Sequence, residues 1–184
     1  DLFSDGFVVM NAARRAVWPE RYRGIVFADP AVQTALSGRP AVSSLVRLPP
    51  EDYPAVVMLV PLRDASGAIS GALGGIVDLR KETLTQLIRT LAFGRTGHAV
   101  IVDRNGIVLA GTEAHERFTR GDHPDFFAAL IRARTADIGR TPEIEDGVVK
   151  EMHVMAFAPL SVGNWGLGFG QSEWEVFQHE RHLQ

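Results

Sequence analysis

The sequence predicts an α+β chain of two tandem modules, each an antiparallel sheet flanked by helices. Three observations carry this reading. Two long apolar runs, residues 55–62 and 68–79, flank the turn-forming Arg63-Asp-Ala-Ser-Gly67, which gives a hairpin of two largely buried strands. A second hairpin is signalled by Asn105-Gly106 between the apolar segments 98–102 and 107–110. The order of strand, helix and antiparallel strands then occurs twice, with Val60-Pro61-Leu62 matched by Ala158-Pro159-Leu160 and a helix after each final hairpin.

Taken in order, Gly6-Phe-Val-Val-Met-Asn11 reads as a strand after an Asp-Gly turn, and an irregular stretch with Trp18, Pro19 and Tyr22 follows. Asp29-Pro30 opens a helix, because Asp accepts the free N–H groups of a first turn and Pro has none to lose there. Gly38 closes that helix, residues 41–48 read as a strand, and Pro49-Pro50-Glu51-Asp52 as a loop. After the central hairpin, Leu84, Leu87, Ile88 and Leu91 fall at helical spacing and predict an amphipathic helix over 81–93. The second module has strands 98–102 and 107–110, and a helix over 124–134 with Phe126, Phe127, Leu130 and Ile131 inward. Strands 148–159 and 166–171 come next, and Ser172 can cap a last helix with Trp174 and Phe177 on one face. The boundaries read from this are 1–80 and 96–172 for the modules, 81–95 for a connecting helix and 173–184 for a terminal helix.

Composition narrows the function. The 184 residues carry a net charge of −3 with no basic run, so no electrostatic field favours nucleic acid or anionic lipid. Cysteine is absent, which excludes disulfides, thiol chemistry and thiolate-bound metal. No apolar run approaches the roughly 18–20 residues that span a bilayer. The start at Asp1-Leu-Phe3 and the amphipathic end read as the edges of a piece of a longer chain.

The stretch Gly94-Arg-Thr-Gly-His-Ala-Val-Ile-Val-Asp-Arg-Asn-Gly-Ile-Val-Leu-Ala110 resembles the membrane-proximal module of double Cache sensor domains, which are PAS-like. Met155-Ala-Phe-Ala-Pro-Leu160 with Asn164-Trp-Gly166 resembles the later strand pair of that family. Asp29-Pro30 to Ser44, and Pro61 to Leu79 with its glycines, resemble the distal module's helix, following strand and central hairpin. The resemblance implies the extracytoplasmic sensor of a bacterial inner-membrane histidine kinase, chemoreceptor or cyclic-dinucleotide enzyme. It further implies a small ligand in the distal module, a homodimeric parent and an output helix at the C-terminus. The family's amino-acid-binding pattern of Tyr, Arg-x-Trp and Asp is matched clearly only at Asp78.

Candidate ligand-binding residues are Arg23, Ser44, Arg47, Tyr53 and Asp78. Arginine holds a carboxylate through a two-pronged hydrogen bond, and tyrosine offers a hydroxyl on an apolar body. Asp78 reads either as a ligand contact or as the N-cap of the helix from Lys81; Trp18 reads as packing. The two arginines and the resemblance point to a small organic acid or related polar metabolite. No catalytic constellation, metal site or cofactor is expected. Gly166-Leu-Gly-Phe-Gly170 alternates within a strand and lacks the strand–turn–helix setting of a dinucleotide loop. His179-Glu-Arg-His182 reads as a solvated helix face, and His98 and His153 as core residues of the second module. The competing classes are a hydrolase using scattered His and Asp, and a cytosolic PAS-type cofactor domain. Turnover assays and an absorbance spectrum separate them from a binding module.

Overall fold

A computed structural model of the chain describes residues 3, 5–91, 93–161 and 163–178. It divides into two compact units, Asp1–Lys81 and Glu82–Gln184. Each unit holds one sheet, and every strand pairing in both sheets is antiparallel.

The first unit contains β1 (Phe7–Asn11), β2 (Ala16–Trp18), α1 (Pro30–Leu36), β3 (Ala41–Val42), β4 (Val46–Leu48), β5 (Tyr53–Arg63) and β6 (Ile69–Asp78). The sheet order is β2-β1-β6-β5-β3, with β4 also paired to β5. Asp29 caps α1 by accepting the Ala31 N–H at 2.8 Å, as its position before Pro30 predicts. The segment expected as one strand over 41–48 is two short ones, because Ser43 interrupts the ladder. Its Oγ accepts the Val57 N–H at 2.8 Å and donates to the Ser44 carbonyl at 2.7 Å. Val8 and Met10 of β1, Val57 and Leu59 of β5 and Ile76 of β6 face Val32 and Ala35 of α1 in one buried cluster. Each of the Val, Met, Leu and Ile side chains contributes about 1.5–3 kcal/mol by leaving water. Trp18, expected to pack, is 55% exposed.

The second unit contains α2 (Thr83–Arg89), β7 (His98–Val102), β8 (Val108–Gly111), α3 (Pro124–Ala133), β9 (Asp137–Glu145), β10 (Val148–Pro159), β11 (Gly166–Ser172) and α4 (Glu173–Gln178). Its sheet order is β8-β7-β11-β10-β9. Val100, Val102 and Val108 join Met155 and Phe157 against Phe127 and Ile131 of α3. Helix α2 packs on β7 and β8 and is shorter than the predicted 81–93. It buries Leu84, Thr85 and Ile88, while Leu87 and Leu91 face solvent. Strand β9 is not among the strands that the sequence pattern predicts. The glycines at 166–170 lie within β11, between β7 and β10, so they form no phosphate-binding loop. The His179 to His182 segment lies outside the described residues. Among the described residues no helix is long and apolar enough to cross a membrane.

Close approach of the neighbouring backbone requires glycine at position 71 of β6. Gly71 pairs with Asn11 of β1 and Leu62 of β5, and a Cβ there would lie 2.2 Å from the Met10 carbonyl oxygen. Gly71→Ala is expected to lower the stability of the first unit by about 1–3 kcal/mol, read from the denaturant midpoint at constant slope. Gly139→Ala, whose Cβ would meet only the Phe126 ring at 3.4 Å, is expected to stay within about 0.5 kcal/mol of the parent. Equal effects at the two positions would contradict the packing described.

Candidate functional site

In the first unit, pairing of Ala55 with Asp78 places the start of β5 and the end of β6 at one end of the sheet. Tyr53 opens β5 and is buried. Its hydroxyl and that of Tyr22 lie 2.7 Å apart, and both donate to Asp5 Oδ2, Tyr22 at 2.6 Å. Tyr22 ends a 3-10 turn over Glu20–Tyr22, which carries the ring inward. Burial alone would raise the Asp5 carboxyl; the two phenols, with Arg21 and Lys81, outweigh it and hold the group below its usual range. Burial and the bond to Asp5 push both phenols up, so they stay protonated donors at neutral pH.

Asp78 is buried and faces Arg80. Its Oδ1 accepts the Arg80 backbone N–H at 2.9 Å, and the guanidinium reaches Oδ2 through Nη2 at 2.9 Å. The carboxylate therefore holds Arg80 rather than capping α2, whose N-cap is Glu82. The guanidinium lies over the Tyr53 ring, 4.5 Å from its centroid, and its Nη1 pairs with exposed Glu51. Tyr53 and Asp78 thus belong to one network that includes Asp5, Tyr22 and Arg80.

The other three candidates lie outside that network. Arg23 is exposed and pairs with Glu20 at 3.2 Å. Arg47 is exposed and donates to the Asp52 carbonyl at 3.3 Å. Ser44 is buried; its N–H donates to Asp29 Oδ2 at 3.1 Å, and its Oγ has no hydrogen-bond partner among the described residues. Asp5, Tyr22 and Arg80 are not candidates on sequence grounds, since a turn-forming Asp, a lone Tyr in an irregular stretch and an Arg beyond a strand carry no periodic signal.

In the second unit the loop Gly94-Arg-Thr-Gly97 wraps the carboxylate of Glu175 from α4. Glu175 Oε1 accepts the Arg95 N–H at 2.7 Å, and Oε2 accepts the Thr96 N–H at 2.8 Å and the Thr96 hydroxyl. Thr96 Oγ1 also accepts the Ser172 N–H at 3.1 Å. The Thr96 hydroxyl and the Arg95 N–H, outweighing burial, pull the Glu175 carboxyl down to about 2. The buried residue of α4 is Glu175, whereas Trp174 and Phe177, expected as its packing face, are 51% and 43% exposed. Burial also lowers the imidazoles of His98 and His123, the latter to about 4.

A family model described as Cache domain, of the double-Cache type, matches residues 4–179. No curated protein matches the chain in sequence. The fold is shared with the extracellular domain of a protein described as a histidine kinase, mmHK1S-Z3, at a TM-score of 0.66 and 14% identity; the match covers 88% of this chain and 60% of that one. The ligand-binding domain of the Pseudomonas aeruginosa PAO1 amino-acid chemoreceptor PctB, in complex with L-Arg, matches at TM-score 0.62 and 17% identity over 96% of this chain and 76% of that one. The sensor domain of the V. cholerae histidine kinase DctB matches at TM-score 0.59 and 12% identity, covering 91% and 71%.

The Glu175 geometry makes a pH prediction. A carboxyl held near 2 in the fold, against an ordinary value of 4.5, contributes stability above pH 4.5 that is lost as the pH falls toward 2. Glu175→Gln is therefore expected to lower Tm at pH 7, and the gap from the parent is expected to close between about pH 4.5 and 2. A gap that stays constant across that window in thermal melts would contradict the clamp.

Proposed function

The chain belongs to the double-Cache family, and from that membership we propose that it is the extracytoplasmic sensor of a membrane-anchored bacterial receptor with a small polar metabolite bound in the first unit. Histidine kinases and chemoreceptors are the receptor types named among its structural neighbours, and a homodimeric parent of one of these kinds, or a diguanylate cyclase, fits the reading. Helix α4 is its output element.

The single observation that carries the ligand assignment is the setting of Arg80. Its inner edge is held by buried Asp78 and its face rests on Tyr53, while its outer Nη1 meets the exposed carboxylate of Glu51. An exposed ion pair of that kind is worth little, so a ligand carboxylate can take Glu51's place at small cost. Asp78 and Tyr53 fix the guanidinium before the ligand arrives, which spares part of the ordering entropy. Elsewhere in the same unit the buried Ser44 hydroxyl, without a hydrogen-bond partner among the described residues, stays a separate candidate contact. Arg23 and Arg47, exposed and paired elsewhere, stand outside the Arg80 network. The ligand class is a small organic acid or a related polar metabolite, amino acids included, as bound by PctB.

A thermal-shift screen of small organic acids and amino acids, followed by calorimetry, tests this. A charge-assisted hydrogen bond contributes roughly 1.5–3 kcal/mol, so Arg80→Ala is expected to weaken the best ligand by about 10- to 100-fold. Arg23→Ala and Arg47→Ala are expected to bind normally. A ligand that binds Arg80→Ala as tightly as the parent would place the pocket elsewhere.

A further inference from the structure

We infer that His98, His123 and His153 of the second unit form a binding site for a late first-row transition-metal ion. This site is independent of the ligand proposed for the first unit.

The sheet brings the three together. His98 opens β7 and pairs with Gly170 of β11, and Met155 of β10 pairs with the same Gly170 from the other side. His153 lies two residues before Met155, so all three side chains project from one face. His123 immediately precedes Pro124, the first residue of α3, the helix that covers this face through Phe127 and Ile131. The rings meet at the end of that core, with centroids 5.7 Å (98–123), 5.1 Å (98–153) and 5.2 Å (123–153) apart. All three residues are at least 95% buried, and one ligand atom from each lies within 4.8 Å of the others.

The hydrogen bonds decide which nitrogens are free. His98 Nδ1 meets the Thr96 carbonyl at 3.3 Å, and His123 Nδ1 meets the Pro142 carbonyl at 3.0 Å. His153 Nε2 meets Glu143 Oε2 at 3.0 Å and Glu151 Oε1 at 3.3 Å. A carbonyl or carboxylate can only accept, so the proton of each neutral ring sits on the nitrogen facing it. The lone pairs then belong to His98 Nε2, His123 Nε2 and His153 Nδ1. His123 Nε2 and His153 Nδ1 are buried with no hydrogen-bond partner among the described residues.

Buried imidazole nitrogens seldom go without a partner. A metal ion satisfies all three at once. An outer carbonyl or carboxylate on the second nitrogen is the arrangement that orients metal-bound histidines. Here that outer layer extends further, since Ser172 Oγ donates to Glu151 Oε2 at 2.6 Å. Gly170 leaves the room: a Cβ there would lie 2.5 Å from His98 Nε2 and 2.2 Å from Met155 Sδ. Three imidazoles with a neighbouring thioether suit zinc, copper, nickel or cobalt rather than magnesium or calcium, which take oxygen ligands. Tetrahedral binding at about 2.0–2.1 Å brings the nitrogens to about 3.3 Å from one another, a modest inward swing of the rings. The same groups touch the α4 anchor, because Thr96 bonds both His98 and Glu175, and Ser172 directly precedes α4.

The test uses the chain with His179 and His182 changed to Ala, stripped with a chelator, and titrated with Zn2+ and with Co2+. One ion per chain is expected, with a dissociation constant of about a micromolar or below. X-ray absorption is expected to show nitrogen scatterers at about 2.0–2.1 Å with imidazole outer-shell features. His98→Ala and His123→Ala are each expected to weaken Zn2+ binding at least about 100-fold. The absorption spectrum of the Co2+-loaded chain with all three histidines intact needs no further variant, so misfolding of either Ala protein leaves the inference testable. Failure of Zn2+, Co2+, Ni2+ and Cu2+ to bind saturably would overturn it. So would undiminished binding in folded His98→Ala and His123→Ala, which would place the ion on Glu143, Glu151 and His153 instead.

Discussion

A buried carboxylate must be met by donors, and in the second unit Glu175 is the one that ties the last helix to the sheet through that requirement. Its two oxygens take the N–H groups of Arg95 and Thr96 and the Thr96 hydroxyl. Thr96 in turn ties the end of β11 through Ser172 and reaches His98 through its carbonyl. The loop before β7, the end of β11, α4 and the histidine cluster are therefore joined by charge-assisted bonds to Glu175 and neutral ones through Thr96. Anything that moves Thr96 or Ser172 also moves the anchor of the last helix. In the proposed reading this suits α4 to carry a conformational signal out of the domain, because its buried residue is held by hydrogen bonds while Trp174 and Phe177 are exposed.

The polar groups of the first unit are organised differently. Asp5 takes two tyrosine hydroxyls on Oδ2 and faces Arg21 from Oδ1, and Asp78 is met by a single arginine. A ligand cannot take Asp78 without stripping a buried charge of its partner, which is costly. The opening is at the periphery, where Arg80 meets Glu51 in solvent. In the proposed binding mode a ligand anion exchanges for Glu51 on a guanidinium that Asp78 and the Tyr53 ring hold in place.

Much of this is legible in the sequence because it depends on local chemistry. The Arg63 to Gly67 turn between apolar runs, the Asn105-Gly106 turn and the Asp29-Pro30 helix start each form as their residues dictate. The double-Cache resemblance rests on the same segments and on the Gly94 to Gly97 loop. Strand β9 is illegible because it is an edge strand with no fully buried residue and Pro142 inside it. An edge tolerates proline and needs no apolar alternation, so its sequence resembles a loop. The packing of α4 is hidden for a related reason: apolar Trp174 and Phe177 outweigh a glutamate in any pattern, yet the hydrogen-bonding demand of the loop decides which residue turns inward. Tyr53 and Asp78 stand out because they end long strands. Asp5, Tyr22 and Arg80 join them only through tertiary folding, and so do the three histidines, which come from two strands and a helix start.

A ligand shifts a signalling equilibrium only through different affinities for the two states, so the sensing element and the output element must be separable by mutation. The direct measurement is made on the full-length parent receptor carrying Val176→Pro, which removes a backbone donor and breaks α4. The receptor output is followed against ligand concentration, and ligand binding is measured on the same variant. A sensor that binds in its first unit and signals through α4 predicts unchanged binding with loss of the ligand-dependent output. A normal ligand response from the Val176→Pro receptor would contradict it.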